Sequence, residues 1–464
     1  MTAQTILPAN TLSSGYDVAN SLMFNDGDSA YLDKTPSGDG SRVKWTWSGW
    51  VKRCSFGHQP IFSTPGNSSN IYDEFYFNST DKIQYSAVVS GTQYALRTTR
   101  TFKDVGAWYH IVLIFDSNNA TAGDRMQLWI NGVRTAEADM EDTTFKDAQN
   151  YNSATNKASY VTYLGRVSTN TAAYFDGYMA EVVFQNDNAD SPVDKFGEFD
   201  EDSGIWKPIN VSGLSLGTNG SYLDFEDSSD LGNDKSGSNN WSSNNLAATD
   251  QSTDTCTNNF ATLNILVKGN TSPTFSQGNI QIDAGGNWGH AVGTIGLASG
   301  KWYWEVDNIT ASSNVFLGIC NESNVSHLDN DSTPYSEAGL ILYFQDGRRT
   351  IDGTSSEGEY NAFGTTHGFA LDLDSGTRTI KFYRDNSLEA TENLTANFAA
   401  GDFVFPIFMG SASSNACGVD FQFGGTVASA LASAESDANG YGAFEFAPPS
   451  GYYAICTKNL AEYG

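Results

Sequence analysis

Glu137-Ala138-Asp139-Met140-Glu141 is the run in this sequence best suited to bond-breaking chemistry. On a strand, alternate residues share a face. Glu137, Asp139 and Glu141 would then stand together as three carboxylates, the residue type that acid/base chemistry at a glycosidic bond uses. A hydrolase would need aromatic sugar platforms beside such a run. Here it lies just past Asn131-Gly132 and leads into the polar Asp142-Thr143-Thr144, so an acidic, solvent-facing strand end is expected and hydrolysis is the alternative. Glu305 and Asp307 form a shorter echo. The histidines His58, His110, His290, His327 and His367 fall in no nucleophile or metal pattern, and His110, inside an apolar run, is expected to be a hydrogen-bonded core residue.

Oxygen ligands for a hard cation cluster in three loops: Asn25, Asp26 and Asp28; Asp224, Glu226, Asp227 and Asp230; Asp329 and Asp331. Ca²⁺ takes such carboxylate and amide oxygens, although none of these loops has the twelve-residue calcium-hand spacing. Asn25, Asp26 and Asp28 are the metal candidates, and no other cofactor is expected. Tyr72, Tyr76, Tyr151 and Trp241 are the candidates for stacking on sugar rings, against a background in which most aromatics must fill cores.

The elements that would carry these residues are strands. From Trp108 an apolar run (Tyr109, Ile111 to Phe115) is followed by an alternating one in which Met126, Leu128 and Ile130 share a face, ending at Asn131-Gly132. A second such pair runs from Phe369 to Asn386. In Trp45 to Val51, period 2 places Trp45, Trp47 and Gly49 on one side and Thr46, Ser48 and Trp50 on the other. Short strands separated by turns are the rhythm of a sandwich, and two such centres in 464 residues predict two of them.

The net charge of −29 argues against nucleic acid or an anionic membrane as partner. Cys54, Cys256, Cys320, Cys417 and Cys456 are odd in number and far apart, which indicates neither a disulfide framework nor a zinc site. The start, MTAQTILPAN, lacks the charged and apolar regions of a secretory signal, and no run reaches membrane-spanning length. Synthesis in a cytoplasm without membrane insertion is the expectation.

Ser48-Gly49-Trp50-Val51, Gly106 to Ile111, Leu128-Trp129-Ile130-Asn131-Gly132, Leu164-Gly165-Arg166 and Phe175 to Val182 follow one another in an order that resembles a laminin-G-like, concanavalin-A-like domain over about residues 20 to 186. Tyr303 to Val306, Asp372 to Thr377 and Phe421-Gln422-Phe423-Gly424 resemble the strands of a SPRY domain over about 275 to 425. Both resemblances imply the same fold class: all-β, two concanavalin-A-like antiparallel β-sandwiches of jelly-roll type. The expected plan is an N-terminal arm (1–20), a laminin-G-like sandwich (21–186), an extended Asx/Ser/Gly-rich linker (187–262), a SPRY-like sandwich (263–425) and a C-terminal tail packed on the second domain (426–464). The first resemblance also implies Ca²⁺ at a sandwich rim. Endoglucanases of this fold carry the E-x-D-x-E pattern found at Glu137, Asp139 and Glu141.

The pairing resembles structural proteins of marine bacteriophages. It implies a non-enzymatic virion protein, a tail fibre, spike or receptor-binding component, with head decoration as an alternative. Its partners would be other virion proteins and a host cell-surface glycan or receptor. It would form a homo-oligomer, trimeric in a fibre, although no heptad run supplies a coiled coil. An intracellular adaptor gripping a peptide through SPRY loops fits the acidic laminin-G-like partner less well.

Overall fold

In the run Trp45 to Trp50 the side chains alternate as period 2 requires: Trp45 and Trp47 enter an inter-sheet core, and Trp50 packs on the opposite side of its sheet with Val18, Ala180 and Trp206. The computed structural model describes residues 15–68, 71–89, 91–167, 173–189, 191–193, 195–268, 273–285, 288–311, 314–327, 334–356, 360–411 and 417–464. The chain is all-β and its large sheets are antiparallel throughout, apart from one short parallel pairing. It divides into two compact units, one spanning Leu12–Thr257 and the other built on Asn258–Gly464.

In the first unit, one sheet runs in the order Val133–Arg134, Met126–Ile130, Trp108–Asp116, Lys44–Arg53, Gly177–Asn186, Ser21–Phe24, Gln251–Ser252, with Ser221–Leu223 also on Gly177–Asn186. The facing sheet runs Met140–Asp142, Thr92–Thr101, Lys82–Val89, Ile71–Phe77, Gln59–Ser68, Thr162–Leu164, Tyr31–Lys34, Ser242–Asn244. Leu22, Phe62, Phe75, Tyr85, Leu113 and Leu164 are among the residues that fill the space between them. The expected hairpin pairs Leu113 with Leu128 and Phe115 with Met126. Asn131 (φ 48°) and Gly132 (φ 74°) then turn the chain so that Val133 meets Ile130. Glycine is required at 132 twice over, by its left-handed backbone and because a Cβ there would lie 2.1 Å from the Trp206 ring.

The segment 187–262, expected as a linker, is different in kind. Its residues to Thr257 belong to the first unit, where Ser221–Leu223, Ser242–Asn244 and Gln251–Ser252 extend the two sheets. Leu223, Phe225, Leu231 and Trp241 are part of the inter-sheet core. Its spaced aromatics are there because the segment buries them.

In the second unit, one sheet runs Leu263–Lys268, Gly289–Gly293, Val404–Ser411, Asn314–Asn321, Leu340–Phe344, Arg349–Ile351, Thr354–Ser356. The other runs Thr274–Ser276, Gln281–Asp283, Cys417–Gln422, Lys301–Ala311, His367–Asp372, Thr379–Arg384, Ser387–Asn393. Trp302, Trp304, Phe369 and Phe421 lie in the core between them. The outer face of the strand Lys301–Ala311 is covered by the end of the chain. Tyr453–Ala454 pairs with it in parallel, Phe444 packs edge-on against Tyr303, and the N–H groups of Glu445 and Phe446 donate to Glu305.

Candidate functional site

The sheet that ends at Met140–Asp142 turns one face toward the inter-sheet core and the other outward. Along Ile71–Phe77, Asp73, Phe75 and Phe77 are buried, whereas Tyr72, Glu74 and Tyr76 share the outer face. Register carries this face across the sheet: Glu74 is opposite Ser86 on one side and Ser63 on the other, Ser63 is opposite Tyr163, and Tyr163 is opposite Asp33. Tyr72 and Tyr76, four residues apart on one strand, lie about 13 Å apart, and Tyr163 is two strands from Glu74, about 10 Å.

Two patches stand on this face. At the first, His58 Nε2 lies 2.6 Å from Glu74 Oε1, and the His58 ring meets Tyr76 at 4.9 Å. Tyr76 Oη is 3.3 Å from Ser86 Oγ, which also accepts from Gln84 and Gln93. Burial, opposed in part by the Ser86 bond, pushes the Tyr76 phenol up to about 12, so it is a neutral donor and acceptor at physiological pH. At the second, the Arg166 guanidinium lies 4.6, 4.9 and 5.7 Å from the rings of Tyr31, Tyr163 and Tyr174. Its Nε has no hydrogen-bond partner among the described residues. Asn244 Nδ2 donates to Asp33 at 2.5 Å beside it. Half-buried aromatic faces interleaved with fixed amide, carboxylate and guanidinium groups can stack on the C–H face of a pyranose ring and bond its hydroxyls. Tyr31, Tyr163, Tyr174 and Arg166 were not singled out by sequence. Their common face follows only from strand register.

Of the expected sugar-stacking residues, Tyr72 and Tyr76 lie on this face, and Tyr151 and Trp241 do not. Tyr151 is a core residue whose hydroxyl donates to Asp73 at 3.0 Å, a buried carboxylate that also accepts from Ser153 and from Thr155 N and Oγ1. Trp241 is buried with its indole N–H on Ser221 Oγ at 2.9 Å. Neither ring is open to a ligand, because each closes the space between the sheets.

The E-x-D-x-E run is not a single strand. Glu137–Asp139 forms a 3-10 turn and the strand starts only at Met140, so alternation does not align the carboxylates. Glu137 pairs with Lys146; Glu141 pairs with Lys82 and Arg97. The Lys82 ammonium, then Arg97, holds Glu141 below the ordinary carboxylate range, which suits an anion and not a proton donor. Beside the run is a cleft of about 350 Å³ whose lining includes Leu96, Met126, Met140 and Phe145 together with Glu137 and Lys146. His110 is buried and neutral. Its Nδ1 accepts from Trp206 Nε1 at 3.0 Å, which leaves Nε2–H to donate to Ser48 Oγ at 2.9 Å, and burial lowers its pKa to about 3.

Among the described residues no three His, Cys, Asp or Glu side chains converge as a metal site. In the acidic loop at 224–230, Lys235 bridges Asp224 and Glu226, and Asp230 accepts from Asn240. Asp329 and Asp331 lie outside the described residues. At Asn25, Asp26 and Asp28 the chain forms a 3-10 turn in which Asn25 Nδ2 donates to Asp28 Oδ2 at 2.7 Å. Asn25 is 4% exposed, and its Oδ1 has no partner among the described residues. Oxygens of this kind fit a Ca²⁺ ligand set, which mixes carboxylates with neutral amide oxygens and water. Asp28, whose carboxylate is already bonded to Asn25, is the least suited of the three.

Residues 26–190 match the Concanavalin A-like lectin/glucanases superfamily. The match includes the residues of the tyrosine face and most strands of the first unit's two sheets, but not Ser21–Phe24, Ser221–Leu223, Ser242–Asn244 or Gln251–Ser252. Among solved structures, a native heptameric SAP-like pentraxin from Limulus polyphemus is similar at 15% identity, over 45% of this chain and 94% of that one, with a TM-score of 0.31. The SPRY domain of human HERC1 is similar at 16% identity, over 36% of this chain and 99% of that one, TM-score 0.28. A stonustoxin structure is similar at 15% identity, over 35% of this chain and 27% of that one, TM-score 0.27. No curated protein matches the sequence.

Proposed function

We propose that this protein is a non-enzymatic glycan-binding protein whose ligand lies across the outer face carrying Tyr72, Tyr76, Tyr163 and Arg166. The observation that carries this reading is the join of two aromatic patches by strand register into one polar face of a lectin-type sandwich. The groups are held by the sheet and by one another before a ligand arrives, so little side-chain entropy is lost on binding. Ion pairing of Glu137 and Glu141 with lysine and arginine supports binding over hydrolysis.

The biological setting we propose is a virion, with the chain as a tail-fibre, spike or receptor-binding component that grips a host-surface glycan as a homo-oligomer. Strong acidity, the paucity of Lys and Arg and the pairing of two sandwich units support it. Screening a panel of bacterial surface polysaccharides with the full chain tests the binding. Retention of one polysaccharide class, lost in Tyr163→Ala, is expected. Release of reducing ends, abolished by Glu137→Gln, would replace the binding reading with a hydrolase. Antibody labelling of source particles in negative stain tests the setting.

A further inference from the structure

We propose that Lys52 and Asp254 condense to an amide within the chain, a covalent cross-link that fixes the segment lying over the first sheet to the strand beneath it. Strand register sets out the place. Across four neighbouring strands Met23, Tyr178, Lys52 and Trp108 stand opposite one another in a single row. Leu22, Met179, Val51 and Tyr109, next to them in sequence, enter the inter-sheet core, so the row lies on the outer face of the sheet. Gln251–Ser252 pairs with Ser21–Phe24 and brings Asp254 to this row. There Lys52 Nζ donates to Asp254 Oδ2 at 2.7 Å, and Trp108 Nε1 donates to Oδ1 at 3.1 Å.

Two features set this pair apart. Its side chains are 0% and 1% exposed, whereas in every other lysine–carboxylate pair among the described residues the lysine is at least 15% exposed. Its surroundings are also apolar. Met23, Cys54 and Tyr178 pack with Trp108 as one cluster, and Nζ lies 5.5 Å from the Tyr178 ring. Two charges in such a place carry a desolvation cost that their attraction often offsets only in part, and an amide carries neither charge. Condensation is therefore favoured where water is excluded. A hydrogen bond of this length holds Nζ about 3.5 Å from Cγ, the separation of a near-attack pair. The proton shared between Nζ and Oδ2 passes to Oδ2, leaving an amine beside an acid. Nζ then attacks Cγ and the C–N bond forms, while the negative charge that develops on Oδ1 is met by the Trp108 N–H. A second Nζ proton moves to Oδ2, the Cγ–Oδ2 bond breaks, and water leaves as Oδ1 re-forms the carbonyl. No oxidant, cofactor or second substrate is consumed.

The full chain, purified and denatured, is weighed by mass spectrometry before and after digestion with trypsin. The parent should be lighter than its sequence by one water. Residues 45–53 should be recovered joined to residues 236–268, uncut after Lys52, because Lys44, Arg53, Lys235 and Lys268 bound the two peptides and a linked lysine resists trypsin. Lys52→Arg, which keeps a cation at the position but no amine, should have its full sequence mass. It should also run more slowly than the parent on a denaturing gel, since the parent's ring between positions 52 and 254 cannot open. The parent's own peptides decide the matter even if the variant does not fold. A parent of full mass, cut after Lys52 and with residues 236–268 recovered free, overturns the proposal. So does a loss of water that persists in Lys52→Arg.

Discussion

Replacing Glu305 by glutamine should change how the second unit responds to pH. Glu305 is fully buried beneath the end of the chain, where Tyr303 Oη donates to it at 2.7 Å and the N–H groups of Glu445 and Phe446 donate at 2.7 and 3.0 Å. Burial outweighs these bonds and raises its pKa to about 7. A carboxyl with a raised folded pKa contributes stability that is complete below its unfolded value, near 4.5, and is lost as pH rises through 7. At about 1.4 kcal/mol per pH unit, the loss between pH 5 and pH 8 is on the order of 3 kcal/mol. Glutamine cannot ionise. Its NH₂ group replaces one acceptor facing a backbone N–H, at a pH-independent cost of about 1–2 kcal/mol. The variant should therefore be less stable than the parent at pH 5 and equal or more stable at pH 8. Urea unfolding at the two pH values measures the difference, with hydrogen exchange at Glu445 and Phe446 reporting on this unit alone. A gap between parent and variant that is constant with pH, or that widens toward pH 8, would refute the reasoning.

Lys52 and Asp254 form a fully buried ion pair at 2.7 Å, and Trp108 Nε1 donates to the same carboxylate. Lys52→Met should destabilise the first unit by at least about 3 kcal/mol in chemical unfolding. Tyr151→Phe removes one donor from buried Asp73 and should cost about 1–2 kcal/mol without altering glycan affinity, as a core residue requires. Gly132→Ala forces a Cβ into the Trp206 ring and a left-handed turn, so its thermal midpoint should fall by several degrees.

The sheets were legible wherever alternation was long. Trp45, Trp47 and Trp50 announce their faces, and Asn131-Gly132 announces its turn, because these signals are local. The segment after 187 was misread because its strands, such as Ser221–Leu223 and Ser242–Asn244, are only three residues long, too short for alternation to register. Glu137 and Asp139 alternate correctly on paper, but the chain forms a 3-10 turn there and strand pairing starts only at Met140. Tyr151 and Tyr72 look equivalent in sequence. What separates them is Asp73, 78 residues from Tyr151, which draws that hydroxyl into the core. Arg166 stands out in no sequence motif of this kind because the rings it packs on, Tyr31, Tyr163 and Tyr174, arrive through register across the sheet.

The glycan-binding face is tested most directly by calorimetric titration of the bound polysaccharide into the parent, Tyr72→Ala, Tyr163→Ala and the double variant. Each single change should weaken binding by about 1–2 kcal/mol and the pair by roughly the sum, with folding unchanged, since the two patches are separate and touch one ligand. Full affinity in the double variant would contradict a ligand lying across this face.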